Sequence, residues 1–574
     1  MKKLAYIISA VLLVAGCNFL DFDETSGLYE RESMYKTYSN VQKMLTNIYG
    51  YMPGKDIVDI SDAMRDCGCD DAEFGDPSAT VQRYNNGNWS ALSTVDTKWT
   101  LYNAIRSTWE FLESMETVDL SIYQYNAKYS QWLEHLKYYP YEARLLKAYY
   151  LFELARRYGD IPVPDKMLTI EEANTIEKTP FDDVIKYIVA ECDTCINKLP
   201  ASYIGMLDDE YGRVTKGFAM AVKTKALLYA ASPLFNESGD NQKWLDAAKA
   251  ALDLMDSGLY KLDPDLFILD SEKTDEKLKG KEDRWYNSQE VIMHIRRSPS
   301  QSFERYNFPV RFTQGQRTSM SGTYPTQNLV DAFQTLGGYD VTLSADGWQT
   351  SDPAFDVNNP YEGRDPRFAR TILANGMELK GDEIETFVGG ADYSATRADL
   401  GTPTGYYLRK YIQELTDFTP EAEYSCQHSW IVYRLSEAVL SYAEAANEYF
   451  HDPDKTDGTL RLSARQALNQ IRAKAGMPDV TAKGYDAFKE AVQREWRVEF
   501  AFEDHRFWDV RRWKIGSSTQ GQIDGVNILK VGEKLEYSRA MVERRTWADR
   551  MYLYPIPQKE LFCNENLNPQ NTGW

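Results

Sequence analysis

Histidine is scarce in this chain, five in 574 residues. None stands at ligand spacing from another, so a metal centre built on imidazoles has no material, and no metal is expected. Cysteine is nearly as rare, with seven residues. Cys192 and Cys195 lie three apart on a helical stretch and share a face. A structural zinc site would want a second such pair with histidines, so paired or simply buried thiols are the expectation for Cys67, Cys69, Cys192, Cys195, Cys426 and Cys563. Positive charge is also short: 65 Lys and Arg against 86 Asp and Glu leave −21. That balance argues against nucleic acid or anionic lipid as ligand. The short catalytic and cofactor motifs are missing too, with no Gly-x-Ser-x-Gly, no His-Glu-x-x-His, no phosphate loop and no Gly-x-Gly-x-x-Gly, and no cofactor is expected. This does not exclude a glycosidase, whose two carboxylates leave no short motif.

Long apolar runs are absent as well, apart from the start of the chain. Lys2 and Lys3 precede a mostly apolar stretch from Leu4 to Val14, shorter than the roughly 20 residues of a spanning helix. Val14-Ala15-Gly16-Cys17 follows. Small residues before a cysteine form a lipobox, so residues 1–16 are expected to be a cleaved lipoprotein signal and Cys17 the acylated residue that anchors the chain to a bacterial membrane. Removing Lys2 and Lys3 takes the formal charge from −21 to −23. Asp21, Asp23 and Glu24 then form an acidic tether suited to routing the protein to the cell surface.

What the sequence does have is helical period. Apolar residues recur at helical spacing in 36–51, 98–116, 141–158, 181–199, 215–231, 242–257, 430–449, 461–475 and 485–502. In 141–158, Tyr141, Leu145, Ala148, Phe152 and Ala155 make one face and Leu146, Tyr150 and Leu154 another, so that helix is expected to lie between neighbours. Eight of the nine fall into four antiparallel pairs: 36–51 with 98–116, 141–158 with 181–199, 215–231 with 242–257, and 430–449 with 461–475. Small residues such as Ala230, Ala231, Ala443 and Ala446 stand where helices would cross. The expected fold is therefore mostly α, four tetratricopeptide-like pairs forming an α solenoid. Residues 262–425 are rich in Gly, Pro, Asn, Asp and Thr and read as a large irregular insertion with short strands. This divides the chain into a signal (1–16), an N-terminal helical repeat region (17–261), the insertion (262–425) and a C-terminal region completing the repeat (426–574). The C-terminal tail reads as irregular.

Two constellations could carry chemistry. Glu495, Glu499 and Glu503 stand at i, i+4, i+8 with Arg506 and Arg512 beyond. Glycosidase acid–base work is one use, but like charges at that spacing need cations nearby, and a buried ionic network is the expectation. Asp452-Pro453-Asp454-Lys455-Thr456-Asp457-Gly458 gathers three carboxylates, with wider spacing than a calcium loop and no terminal Glu; a solvated turn is expected. The other anomaly is aromatic: 39 Tyr, 23 Phe and 13 Trp. Some lie in polar loops, where they suit stacking on sugar rings. The candidate ligand residues are Tyr84, Asn88 and Trp89 at a turn, and Trp285, Tyr286, Tyr306, Tyr324 and Trp348 in the insertion. Trp89 leads, although any one of these aromatics could equally staple its own loop to the core.

At this point the residues resemble a known family. Ala143-Arg144-Leu145-Leu146-Lys147-Ala148-Tyr149-Tyr150-Leu151-Phe152-Glu153-Leu154 with Arg157-Tyr158-Gly159-Asp160-Ile161-Pro162 is similar to a helix signature of SusD/RagB lipoproteins. So are Arg434-Leu435-Ser436-Glu437-Ala438, Asn469 to Gly476, and Arg494-Glu495-Trp496-Arg497-Val498-Glu499-Phe500 with Glu503, Arg506, Asp509, Arg512 and Trp513. Tyr554-Pro555-Ile556-Pro557-Gln558 and the closing Asn568 to Trp574 complete the match. It departs at Glu503-Asp504-His505, where the family usually has Gly after the Glu. The resemblance implies a non-enzymatic protein on the bacterial surface that captures oligosaccharide, or in some members peptide, and closes as a lid over a SusC-like TonB-dependent barrel. It implies that repeat helices pack on the barrel and insertions build the ligand face. A surface-anchored glycoside hydrolase is the alternative from another class.

Overall fold

The computed structural model describes residues 35–52, 60, 63–206, 212–266 and 288–574. The signal segment 1–16, Cys17, Trp285 and Tyr286 lie outside the described residues. Ten helices of the described chain matter here: α1 (Tyr38–Tyr49), α2 (Leu101–Met115), α3 (Tyr139–Tyr158), α4 (Phe181–Ile196), α5 (Lys216–Ala231), α6 (Asn241–Asp256), α7 (Leu435–Phe450), α8 (Ala464–Ala475), α9 (Gly484–Glu499) and α10 (Arg506–Arg512). From α1 to α8 each helix packs against the next in sequence, so the four expected pairs stack into one continuous array of neighbours.

The local causes are readable. Asp240 accepts from the Gln242 N–H and starts α6, and Ser463 with Gln466 forms a capping box at α8. Gly159 and Gly476, at φ +73° and +76°, end α3 and α8. Almost every residue of α3 is buried, including Leu145, Leu146, Tyr150, Phe152 and Leu154. The two apolar faces are accounted for by α2 on one side and α4 and α5 on the other. In α7, burial is unbroken from Leu435 to Glu448, and small residues (Ala438, Ala443, Ala445, Ala446) let α6 and α8 approach.

The longer strands are β1 (Ala72–Phe74), β2 (Val291–Arg296), β3 (Thr323–Pro325), β4 (Val341–Ser344), β5 (Gly347–Thr350), β6 (Ser429–Arg434), β7 (Gln522–Val531) and β8 (Lys534–Arg544). They form separate two-stranded ribbons: β1 with β3, β2 with β6, β4 with β5, β7 with β8. Two sequence expectations change. The helix expected over 430–449 begins at Leu435, because Ser429–Arg434 is spent as a strand against Arg296–Val291. The tail expected to be irregular contains the longest ribbon, closed by the two-residue loop Gly532-Glu533 between paired Val531 and Lys534, with Gly532 at φ +65°.

The chain leaves the solenoid after α6 and returns at β6, and α6 still packs directly on α7. A buried ionic network fixes that return. Arg434, the last residue of β6, donates to Glu503 (2.8 Å), Glu499 (2.6 Å) and Glu290 (2.7 Å). Lys474 of α8 reaches Glu499 (2.7 Å) and Glu290 (2.9 Å). Arg367 of the insertion reaches Glu495 (2.6 Å) and Glu499 (2.9 Å), and Lys410 reaches Glu503 (2.6 Å). All of these side chains are at least nine-tenths buried. Burial by itself pushes the Glu499 carboxyl up, but Lys474, Arg434 and Arg367 outweigh it and hold the carboxyl well below its ordinary value of 4.5. The three carboxylates singled out in the sequence are thus committed to cations inside the core.

Removing one member of such a network leaves its partners buried and unmatched. Glu499→Gln is expected to destabilise the chain by about 3–5 kcal/mol at neutral pH, read by urea denaturation. The sign with pH follows from the depressed pKa. The contribution is complete above about 4.5 and is lost as pH falls through the folded value, so the gap between wild type and Glu499→Gln should narrow under acid. An equal stability of the two chains at pH 7 would contradict this account.

Candidate ligand-binding face

The sequence nominated aromatics for their loops; the structure separates them. Trp89 is buried (3% exposed), with its ring against Tyr84 (5.0 Å), Tyr554 (5.2 Å) and Trp574 (4.5 Å). Tyr84 is equally buried, and its hydroxyl hydrogen-bonds that of Tyr554 at 2.6 Å. These two rings are the anchor on which the C-terminal tail folds back, so the expectation that they present open faces to a ligand is corrected. Asn88 is exposed, but beside this anchor, where its carbonyl accepts from Arg83 Nε (2.9 Å). Tyr324 in β3 is fully buried. Its hydroxyl accepts from Arg317 and donates to the Ser321 carbonyl (3.0 Å). Trp348 in β5 packs among Phe355, Tyr361 and Tyr537 and is the core of the insertion. Both are likewise corrected from ligand contacts to packing. Tyr306 alone among the described nominees keeps part of its ring in solvent.

Tyr306 sits where three segments distant in sequence converge. The β1–β3 pairing lays Glu73 opposite Tyr324, and Gly75 N–H donates to the Gly322 carbonyl (3.0 Å). Gly322, at φ +105°, runs so close to the Tyr306 carbonyl that a β-carbon has no room. Asn307 Oδ1 accepts from Thr323 N–H (2.9 Å) and fixes the short helix that carries Tyr306. From the far end of the insertion, Arg397 donates to Glu73 Oε1 (2.7 Å) and to the carbonyls of Phe74 (2.9 Å) and Gly75 (3.1 Å). Nearby Arg311 lies over Phe312 and grips Asp392 through two nitrogens, next to Tyr393, which is 37% exposed. The open side of this junction carries Asp76, Ser78, Thr318 and Ser319. A partly exposed ring beside hydroxyls and a carboxylate suits a ligand with both an apolar face and a polar edge. Tyr393 was missed because nothing in its local sequence marks it; the Arg311–Asp392 pair and the Arg397 tether, both long-range, bring it here.

Among the described residues no group of acidic, His and Cys side chains could hold a metal. Cys67, Cys69, Cys192, Cys195 and Cys426 are buried and Cys563 is exposed, and none of the six is in a disulfide. The 452–458 turn uses Asp457 to accept from the Thr459 and Leu460 N–H groups (both 2.7 Å), while Asp454 pairs with Arg465. Asp504, where the resembling family usually has Gly, stands at φ +62°, which explains the usual Gly.

An α solenoid interrupted by one large insertion, with a polar and aromatic junction between the insertion and an N-terminal loop, defines a binding protein built on helical repeats. The SusD family profile matches residues 281–574, more than half of the chain, and the chain belongs to that family. It is similar to SusD-like protein P2 of Formosa agariphila, 22% identical with 100% of this chain and 99% of the relative covered. A SusD-like protein from Bacteroides fragilis superposes with a TM-score of 0.73 at 26% identity, covering 94% of this chain and 98% of its own. A second from the same species, described as a SusD-like carbohydrate-binding protein, gives 0.71 at 24%, covering 93% and 100%.

Burial and exposure separate two substitutions. Trp89→Ala should cost about 3–5 kcal/mol of stability as a buried large-to-small change. Tyr306→Ala should leave the urea midpoint nearly unchanged, since partly exposed sites away from the core usually shift stability by about 0.5 kcal/mol or less. The reverse order of the two midpoints would misplace both residues.

Proposed function

We propose that this chain is a cell-surface lipoprotein, held in the outer membrane through Cys17, that captures oligosaccharide and delivers it to a SusC-like TonB-dependent barrel, over which it acts as a lid. The observation that carries the reading is the junction of the 72–80 loop with the 306–325 and 391–400 segments, in a chain of the SusD family. The carbohydrate-binding relative supports the ligand class. A sugar ring has an apolar face for Tyr306 or Tyr393 and hydroxyls for Asp76, Ser78 and Ser319. No described helix is long and apolar enough to cross a membrane, which fits attachment by lipid.

The test is affinity electrophoresis of the purified protein through a panel of polysaccharides, with Tyr306→Ala beside it. Retardation by at least one polysaccharide, weakened about tenfold in the variant, is expected. A tagged chain should also bring a large TonB-dependent barrel out of solubilised outer membranes. Absence of retardation across the panel would refute the glycan reading. Release of reducing ends from a retarding polysaccharide would move the protein to the hydrolase class.

A further inference from the structure

The segment joining α2 to α3, residues 117–138, leaves large apolar side chains in solvent. Ile122 is 79% exposed, Tyr125 93% and Leu133 40%. Large apolar groups gathered in the open on one short segment mark an interaction surface. Their inner side is anchored. Leu133 belongs to a short helix (Tyr129–Leu136), and Trp132 of that helix stacks on Tyr38 at 5.2 Å and 9°. Tyr123, between Ile122 and Tyr125, sets its ring edge-on to the same Trp132 at 6.2 Å. The Tyr38 hydroxyl meets the Tyr139 hydroxyl (2.8 Å) and the His135 ring (3.2 Å). The segment is thus packed down on α1 and α3 while three apolar groups point away.

That packing places the segment where the chain arrives from its N-terminus. Tyr38 is the first residue of α1, and the buried Tyr35 just before it lies 6.3 Å from the Phe111 ring of α2. Cys17 stands 18 residues before Tyr35, at most about 60 Å of extended chain. A surface beside the start of α1 is therefore kept near whatever holds Cys17, at a high effective concentration. Composition fits a lipid surface. Residues 117–138 hold four Tyr and one Trp, ring types that collect where headgroups meet acyl chains. Asp119 and Glu134 are balanced by Lys128 and Lys137, so the stretch is formally neutral on a chain of −21. It escapes the repulsion that an anionic leaflet exerts on the rest.

We propose that residues 121–133 are a membrane-contact surface, whose Ile122, Tyr125 and Leu133 side chains seat in the headgroup layer of the membrane to which Cys17 anchors the chain. The proposal rests on the reading of Cys17 as the acylated residue. Three side chains cover well under the roughly 800 Å² per partner that a stable protein interface buries, whereas a surface already tethered to its target needs only a weak contact. The role is orientation rather than attachment. Acyl chains hold the protein, and a second contact beside α1 fixes which way the solenoid stands and so where the face at Tyr306 points.

Hydrogen exchange tests it, comparing the lipoprotein in vesicles of phosphatidylethanolamine and phosphatidylglycerol with lipid-free residues 18–574 in solution. Amides of 121–133 should exchange about tenfold more slowly on the vesicles. Ile122→Ser combined with Tyr125→Ser should abolish that slowing without moving the melting temperature, since both side chains lie in solvent. Equal rates in the two settings, or slowing that survives the double variant, overturns the proposal. So does slowing that appears only with a co-purified barrel, or only as protein density on the vesicles rises, which would give the surface to the barrel or to a second copy of the chain. Mass spectrometry of the N-terminal peptide keeps the two readings apart. An acylated Cys17 with equal rates refutes this surface alone, whereas an unmodified Cys17 refutes the anchor and the surface with it.

Discussion

The return of the chain at Arg434 is the constraint on which the rest depends. Residues 257–434 separate α6 from α7, yet the two helices pack as directly as any pair in the solenoid. The entropy of closing so long a loop grows only slowly with its length. What a long excursion endangers is the register and angle at which the chain comes back. A planar guanidinium with five donors in a fixed fork is suited to setting both. Arg434 meets Glu290 at the start of the ribbon and Glu499 and Glu503 at the end of α9, so the insertion's first and last strands and the last long helix share one point. Apolar side chains of equal volume could bury as much surface, but would accept several arrangements where the ions accept one.

That anchoring explains how an insertion of short ribbons can hold the proposed ligand face in place. None of its described strands makes a sheet of more than two, and isolated ribbons are marginal in water. Each is instead tied by charge to something larger: Arg367 and Lys410 to α9 and its turn, Arg397 to β1, and Arg539 of β8 to Asp331 and Asp524. Its core around Trp348 and Tyr361 is completed by Tyr537 of β8, which packs the insertion against the C-terminal ribbon. The face at Tyr306 therefore rests on a framework fixed at several points, which keeps its residues in place without requiring a ligand to order them.

The solenoid was legible because periodicity is a property of contiguous residues. All eight paired helices are present, within a few residues of the stretches read from their apolar spacing, and the doubly apolar α3 is sandwiched as its two faces required. Ser429–Arg434 was not legible, because a strand running straight into a helix continues its apolar pattern; only the pairing with Val291–Arg296 separates the two. The β7–β8 ribbon did leave a signal, alternation in Lys534-Leu535-Glu536-Tyr537 after Val531-Gly532-Glu533, that was lost in a tail judged by its prolines. The loop aromatics failed for a different reason. Asn86-Gly87-Asn88 marks a turn correctly, with Gly87 at φ +72°. A turn tip says where the backbone goes, not where the next side chain points, and Trp89 turns inward to meet the last residue of the chain, Trp574.

The departure at Asp504 draws these threads together. At φ +62° a glycine would sit without steric cost, and a side chain there is tolerated best when it is a short polar one that bonds locally. Asp504 does this: it pairs with Arg65 and accepts from Trp508 Nε1 (3.3 Å). The Arg65 pairing reaches from the segment before β1 to the turn after α9, beside α3, and adds a tie across the solenoid that a glycine could not supply. A single residue unlike its resembling family thus trades local backbone ease for a long-range ion pair.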